Sequence, residues 1–322
     1  MVTDLPKIST LIDENSVHEQ LKKNFQYLSS DWFNFLNFWA NEAYRTFRDH
    51  DKYLILIFII KKTFDYYSAN FIKLNLEEFY NRKSLEIHKF NINDIARVLD
   101  IPRETTRRKI YELEKSGILK KNKKNLIVEP KTFTFEKPEA VIDGLSNFLS
   151  KLFGFLNNSR KLENKITSND FKNCIKKDFS YVWKIFYDMH IPNVSNWRKF
   201  HGDLDTFHIY GTCVVNQNFE TQKVLKKENQ IFKNNIEYLK KLGEIEEKTG
   251  INAMTISNLS GIPRATVLRK LRGLIKKKFL NINQNKLYHL NPKNLGPLLE
   301  IHENVMKRLS IFSSKVYNLT KF

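Results

Sequence analysis

The sequence contains little cysteine and little glycine. Only two residues are cysteine, Cys174 and Cys213, and ten are glycine. Two cysteines without metal-type spacing provide no disulfide framework, and they fit reduced thiols in a cytoplasmic protein. The chain also lacks the motifs GxxxxGKS/T, GxGxxG, HExxH and GxSxG, which hold phosphates, metals or a catalytic serine. We therefore expect a protein that is not an enzyme and that has no cofactor.

Long hydrophobic runs are also missing. The longest, YLILIFII at residues 53–60, is flanked by lysines and is far shorter than the ~20 residues that cross a bilayer. We expect this run to form a buried helix and the protein to have no membrane contact. The first sixteen residues contain an early aspartate and no apolar segment, so no secretory signal is expected.

Acidic residues are outnumbered by basic ones. There are 54 Lys and Arg residues against 35 Asp and Glu, a formal net charge of +19. Such a charge attracts polyanions, which favours nucleic acid or an anionic membrane surface as the partner. An AT-rich genome would also raise the lysine content without any functional cause. The positions of the basic residues therefore have to decide between the two explanations.

A nineteen-residue stretch occurs twice. IPRETTRRKIYELEKSGIL occupies residues 101–119, and IPRATVLRKLRGLIKKKFL occupies residues 262–280. Basic residues recur in and after both copies. In the first they are Arg103, Arg107, Arg108, Lys109, Lys120, Lys121, Lys123 and Lys124, and in the second Arg264, Arg269, Lys270, Arg272, Lys276, Lys277, Lys278 and Lys286.

Each copy has the apolar period of a helix. Positions i, i+4 and i+7 are occupied by Thr106, Ile110 and Leu113 in the first copy and by Val267, Leu271 and Leu274 in the second. These faces should pack inward, with the arginines on the opposite face. Pro102 and Pro263 suit the first turn of a helix, where a missing N–H costs nothing. We expect both helices to begin there.

A second short helix should precede each copy. NINDIARVLD ends at Asp100 and NAMTISNLSG ends at Gly261, residue types that tolerate a left-handed turn. The residues expected to face inward are Ile95, Val98 and Leu99 in one and Ile256 and Leu259 in the other. After each copy, GILKKNKKNLIVEP and KFLNINQNKLYHLNP predict two apolar strands joined by a polar turn.

This arrangement resembles a winged helix-turn-helix. LSGIPRATVLRKLRGL is similar to the IclR type, and IARVLDIPRETTRRKIYELEKSGIL also resembles the MarR and Crp types. The resemblance covers the paired helices and the hairpin of each copy. It implies sequence-specific binding to double-stranded DNA by a transcriptional regulator in the cytoplasm, associated with the nucleoid.

The repetition extends beyond these motifs. Arg103 and Arg264 are 161 positions apart (264 − 103), and the same offset pairs Leu126 with Leu287. Upstream, DHDKYLILIF from residue 49 matches DLDTFHIYGT from residue 203, an offset of 154 (203 − 49). We expect a mainly α fold with small β wings, built as two tandem winged helix-turn-helix domains from an internal duplication. The predicted division is an N-terminal segment 1–29, a first repeat 30–157, a linker 158–177 and a second repeat 178–322.

Each repeat ends in a broad apolar helix. In MarR-like regulators such helices form the dimer interface, so the resemblance implies that the two halves pair within one chain as a pseudo-dimer. The alternative is that each helix covers the core of its own domain, and a homodimer also stays open. The residues concerned are Val141, Leu145, Phe148, Leu149, Leu152 and Phe153, and Leu298, Leu299, Ile301, Val305, Leu309 and Phe312.

The outward residues of the two copies are candidates for DNA contact. Arg103, Arg107 and Arg264 suit guanine, Glu104 suits cytosine, and Ala265 or Leu268 suits a thymine methyl group. Tyr111 and Arg272 complete the two reading faces, which differ and so predict an asymmetric bipartite site. Phosphate contacts are expected from Thr105, Arg108, Lys123, Lys124, Thr266, Arg269 and Lys286. The alternative for each residue is a solvated surface, or for Arg108 and Arg269 an ion pair within the domain.

Other functions remain open from the sequence. Plasmid or phage replication initiators also resemble two joined winged helices, and some winged helices bind proteins instead of DNA. HGDLDTFH contains His201, Asp203, Asp205 and His208, types that bind metals or transfer protons. The matching stretch of the first half has neither histidine in register, and helix capping explains the shared aspartates. Whether a small effector binds is undetermined; the aromatics around Phe64, Tyr66 and Tyr67 predict either a cavity or packed core.

Overall fold

The protein is mainly α-helical, as the sequence predicts. The computed structural model describes residues 11–82, 85–87, 91–122, 125–128, 138–160, 166–244, 250–291 and 296–322. Across these residues there are fourteen helices and five short strands. None of the described helices combines the length and the apolar character that a membrane crossing requires.

The first half contains seven helices and a small sheet within its described residues. The helices are α1 (Glu14–Lys23), α2 (Phe25–Phe47), α3 (His50–Ala69), α4 (Leu76–Asn81), α5 (Ile92–Leu99), α6 (Arg103–Lys115) and α7 (Pro138–Arg160). The strands are β1 (Leu85–Ile87), β2 (Leu119–Asn122) and β3 (Asn125–Val128). They form an antiparallel sheet in the order β1-β3-β2.

The second half has the same order of elements. Its helices are α8 (Ser168–Lys177), α9 (Phe179–His201), α10 (Leu204–Glu228), α11 (Asn235–Glu244), α12 (Ala253–Ser260), α13 (Arg264–Lys276) and α14 (Gly296–Leu319). Strands β4 (Leu280–Ile282) and β5 (Tyr288–Leu290) form an antiparallel hairpin. An isolated bridge between Ile251 and Tyr288 occupies the position that β1 has in the first half.

The hairpins correct one detail of the predicted register. Lys121 pairs with Leu126 in the first hairpin, and Ile282 pairs with Tyr288 in the second. Leu126 therefore corresponds to Tyr288, so its predicted match with Leu287 is wrong by one residue. The second turn is longer because the Asn283 side chain accepts hydrogen bonds from the backbone of both Asn285 and Leu287.

The run from Tyr53 to Ile60 forms part of a buried helix, as predicted. Helix α3 begins after Asp49, whose side chain accepts hydrogen bonds from the backbone N–H groups of Asp51 and Lys52. Helix α10 begins in the same way after Asp203, which caps the N–H of Thr206 at 2.8 Å. This confirms the capping role expected for Asp49 and Asp203. Asp51 and Asp205 do not cap the helices; they bind Arg198 and His50 of the opposite half instead. Helix α3 supports α5 and α6, and α10 supports α12 and α13.

The two halves are interwoven in a single hydrophobic core. Helix α3 packs against α9 of the other half, and α10 packs against α2. The closing helices also cross over, since α7 packs on α2 and α8, and α14 packs on α9 and α1. Their ends meet where the ring of Phe153 stacks on that of Tyr317 at 4.3 Å. Each closing helix therefore covers its own half and also contacts the other.

The segment interpreted as a linker contains a buried helix. Helix α8 starts with a capping box between Thr167 and Asp170, and its Phe171 and Ile175 are fully buried. The N-terminal segment likewise contains α1, whose Val17 and Leu21 pack on α14. Both segments are part of the common core, while the three predicted domain boundaries stay a prediction.

Candidate nucleic-acid interface

The two repeated stretches form helices with the predicted inner faces. Helix α6 begins directly after Pro102, and α13 begins directly after Pro263. All six residues of the predicted apolar stripes are buried: Thr106, Ile110, Leu113, Val267, Leu271 and Leu274. Because these faces are fixed against the core, the opposite faces of both helices point to solvent.

The candidate DNA-contacting residues lie on these outer faces. Exposed side chains are those of Arg103, Glu104, Arg107, Arg108 and Tyr111 on α6, Arg264, Ala265, Arg269 and Arg272 on α13, and Lys286 at the tip of the second hairpin. Thr105, Thr266 and Leu268 are half-buried. Lys123 and Lys124 lie outside the described residues. Each reading face is thus accessible along its length.

The outer face of α6 contains weak ion pairs of its own. Arg107 binds Glu104 at 3.2 Å, one helical turn apart, and both side chains are largely exposed. Arg108 lies 3.7 Å from Glu112. This contact agrees with the alternative that Arg108 forms an ion pair within its own domain. Exposed pairs of this kind contribute little to stability. They can therefore open when another group offers a better partner.

Lys109 and Lys270 belong to the structure that supports α6 and α13. Lys109 pairs with Asp49, and Lys270 pairs with Asp203, the two aspartates that cap α3 and α10. The lysine side chains are only 13% and 15% exposed. In the sequence they belong to the basic clusters that recur in both copies. Their position three residues after Thr106 and Val267, at the edge of the apolar stripe, is the signal that distinguishes them.

Contacts with lysine lower the pKa values of two carboxylates near these helices, Asp203 and Glu112. Burial alone would raise the pKa of Asp203, but hydrogen bonds from Lys270 and Thr206 hold this pKa below its ordinary value. In the first half, a hydrogen bond from Lys52 lowers the pKa of Glu112, whose carboxylate lies 2.7 Å from the lysine. Glycine occupies the position of Glu112 in α13 (112 + 161 = 273). Helix α6 is therefore anchored by one more carboxylate than α13.

The tight turns before α6 and α13 are each held by an arginine of the opposite half. Arg198, on α9, donates to the carbonyl oxygen of Asp100 at 2.8 Å and also binds the Asp51 carboxylate. Arg48, at the end of α2, donates to the carbonyl oxygen of Gly261 at 3.4 Å. Asp100 and Gly261 have φ values of 54° and 70°, the left-handed conformation expected from the sequence. No local pattern pointed to either arginine.

The structure corrects two predicted inward residues. Val98 is 51% exposed and Leu259 is 48% exposed. Helices α5 and α12 have only eight residues each, and both bury an i, i+4 pair, to which α12 adds Ala253. In α5 that pair is Ile95 and Leu99, and in α12 it includes Ser260. Position 98 or 259 lies about 100° away around the helix, so its side chain faces solvent.

The acid-base candidates of HGDLDTFH do not form one site, because each of them makes separate contacts. His201 is enclosed by aromatic rings, and burial lowers its pKa to about 3. Asp205 binds His50 at 2.7 Å, and His208 binds Asn41 at 2.7 Å. Within the described ranges, no three His, Cys, Asp or Glu residues are placed to hold a metal ion. Asp205 and His208 thus connect the two halves, whereas His201 packs among rings of the second half.

The sequence predicts either a cavity or packed core around Phe64, Tyr66 and Tyr67, and the structure contains both. Phe64 is packed against Phe79 at 5.2 Å between ring centres. Next to it, Phe64 and Tyr67 border an open pocket of about 250 Å³, whereas Tyr66 is not part of its lining.

Comparison with known proteins gives no relative for this chain: no protein-family model, curated protein or solved structure matches it.

Proposed function

We propose that the protein binds double-stranded DNA sequence-specifically as a transcriptional regulator, with α6 and α13 as its reading helices. One observation carries the proposal. Both helices expose a face rich in arginine, while the opposite face is buried and an equivalent Lys–Asp pair fixes the helix to its support. Two helices held identically in this way can each enter a major groove.

The order of elements supports an assignment to tandem winged helix-turn-helix domains. In the first half, β1 is followed by α5, the turn at Asp100, α6 and the β2–β3 hairpin. In the second half, the bridge residue Ile251 precedes α12, the turn at Gly261, α13 and the β4–β5 hairpin. We interpret the shared order, together with the repeated sequence, as an internal duplication.

The two reading faces favour an asymmetric target. At the offset of 161, Ala265 replaces Glu104, Leu268 replaces Arg107, and Arg272 replaces Tyr111. Helix α6 has five basic and three acidic residues, whereas α13 has five basic residues and no acidic one. The second helix therefore has the stronger attraction for phosphates, and the half-sites should differ in sequence.

The interwoven core supports a pseudo-dimer within one chain. The crossed contacts of Arg198 and Arg48 fix each turn to the opposite half. Such coupling would hold the two reading helices at one separation. Reading successive major grooves on one side of DNA requires a separation of roughly 34–36 Å. One chain would then occupy one bipartite site.

A second candidate function is a winged-helix module that binds another protein. The observation in its favour is apolar surface beside the reading helices: Val98 and Leu259 occupy equivalent positions and are both exposed, and Met254 on α12 is also exposed. Exposed apolar side chains are more typical of a protein-binding surface than of a DNA-binding surface.

Paired substitutions separate the two functions. Arg103→Ala with Arg264→Ala should weaken specific binding to a selected duplex strongly, since each lost bidentate contact costs about 1–3 kcal/mol. Lys307→Ala with Lys315→Ala removes the same charge from exposed positions on α14 and is the matched control. Fluorescence anisotropy gives both affinities. Equal affinity of the two double variants would reject the DNA-binding proposal and favour the protein-binding module.

A further inference from the structure

We propose that a cavity between the two halves binds a small, largely apolar molecule that carries one hydrogen-bond donor. The cavity has a volume of about 110 Å³. It lies between α2 of the first half and α10, α11 and α14 of the second. Its walls are mostly aromatic and aliphatic and include Trp32, Leu36, Phe207, Val214, Leu242 and Val305.

The cavity exists because a side chain is missing from α10. Gly211 lines it, and a Cβ atom added at this position would meet no heavy atom within 4 Å. The corresponding residue of α3, at the offset that relates the two capping aspartates (211 − 154), is Ile57. Ile57 is only 2% exposed. At this position the first half buries a branched side chain, whereas the second half has empty space.

Two buried histidines give the cavity its polar character. His208 and His302 both line it and are 1% and 7% exposed. Within the described part of the chain, Nδ1 of His208 and Nε2 of His302 have no hydrogen-bond partner. The residue of α3 that corresponds to His208 is Leu54 (208 − 154). The histidine, like the glycine, therefore distinguishes this half from the other.

The contacts of His208 define which ligand group fits. Its Nε2 lies 2.7 Å from the side-chain oxygen of Asn41, which can only accept, so Nε2 donates. Burial keeps the pKa of His208 well below its ordinary value, and the proximity of His50 lowers this pKa further. At neutral pH the ring is therefore uncharged, and Nδ1 retains a lone pair. A ligand hydroxyl or N–H would satisfy this acceptor, whose lack of a partner is costly in a buried site.

The size and lining of the cavity define the rest of the ligand. Dry apolar cavities of roughly 150 Å³ take up benzene, so a space of about 110 Å³ that opens outward suits a single ring or a short branched chain. Phenol combines such a ring with one hydroxyl donor. Benzene has the same ring without the donor and is the matched probe.

The test is titration of the full-length chain with phenol and benzene, followed by calorimetry. Wild type should bind phenol saturably and more tightly than benzene. Gly211→Ile, which introduces the side chain found at position 57, should weaken phenol binding at least about tenfold because it fills the space. Gly211→Ala is the control and should retain binding. His208→Leu, which introduces the residue found at position 54, should abolish the preference for phenol over benzene.

A second measurement does not depend on the folding of any variant. In the wild-type chain, the ¹⁵N resonance of His208 Nδ1 should shift as phenol is added and stay constant with benzene. Absence of saturable binding, an unchanged phenol affinity in a folded Gly211→Ile chain, or an unaffected His208 resonance would each overturn the proposal. DNA is absent from these experiments, so their outcome is independent of the proposed function.

Discussion

Arg198 donates a hydrogen bond to the carbonyl oxygen of Asp100 at 2.8 Å, although the two residues lie 98 positions apart and in opposite halves of the chain. The same guanidinium binds both carboxylate oxygens of Asp51, at 2.9 and 3.2 Å. This one side chain therefore connects α9 to the start of α3 and to the turn before α6. The position of one reading helix depends in this way on the other half of the protein.

We expect Arg198→Ala to destabilise the chain by about 2 kcal/mol, because it leaves the partly buried Asp51 carboxylate without its charged partner. Arg48→Ala breaks only the longer contact of 3.4 Å to Gly261 and should change the free energy of unfolding by less than about 0.5 kcal/mol. Urea denaturation of both variants gives these values. Equal effects would mean that the contact to the turn, and not the pair with Asp51, carries the stabilisation.

The anchoring pair Lys270–Asp203 predicts a dependence of stability on pH. The pKa of Asp203 is lowered in the folded chain, so its stabilising contribution is present above the unfolded value of about 3.9 and is lost as pH falls through the folded value. Lys270→Met should be less stable than wild type at neutral pH, and the difference should begin to shrink as the pH falls below about 3.9. Thermal unfolding between pH 7 and pH 3 measures it. A difference that is constant over this range would contradict the role of the pair.

The difference in charge between the reading helices predicts unequal effects on DNA binding. Arg269→Ala, on the helix without acidic residues, should reduce the slope of log affinity against log salt by roughly one phosphate contact, about 0.9. Glu104→Ala should leave this slope nearly unchanged and relax base preference in one half-site only. Binding to duplexes randomised at single positions, at several salt concentrations, distinguishes the two effects. A slope that responds to neither substitution would indicate that α13 does not contact phosphates.

The corrected burial of α5 gives a simple test of the fold. Leu99 is fully buried, whereas its neighbour Val98 is half exposed. We expect Leu99→Ala to cost about 2–5 kcal/mol through the cavity that it creates, and Val98→Ala to cost less than about 0.5 kcal/mol. Guanidinium denaturation compares them. If Val98→Ala proved as costly as Leu99→Ala, the orientation of this helix would be wrong.

Local features of this fold could be predicted from the sequence because they depend on neighbouring residues. The period of Thr106, Ile110 and Leu113 places the inner face of α6, and the aspartates at 49 and 203 mark helix starts through their own backbone contacts. The hairpins follow from alternating apolar and polar residues around a polar turn.

The features that the sequence did not predict are long-range or depend on a small difference in geometry. Arg198 meets Asp100, and His208 meets Asn41 from 167 positions away, and no spacing rule relates such residues. Val98 and Leu259 were misplaced because they are the i+3 neighbours of Ile95 and Ile256, whereas the buried neighbours are the i+4 residues, about 100° further around the helix. The extra residue in the second hairpin shifts the register without changing the apolar pattern.

The most direct test of the proposed function is selection from a pool of random DNA duplexes, with salt titration on the enriched sequence. We predict a bipartite, non-palindromic motif whose half-sites are one helical turn apart, roughly 10–10.5 base pairs. Its affinity should fall steeply with salt, by about 0.9 log units per phosphate contact for each tenfold increase. A pool without enrichment, bound weakly and equally by wild type and by Arg103→Ala with Arg264→Ala, would contradict the assignment of α6 and α13 as DNA-reading helices.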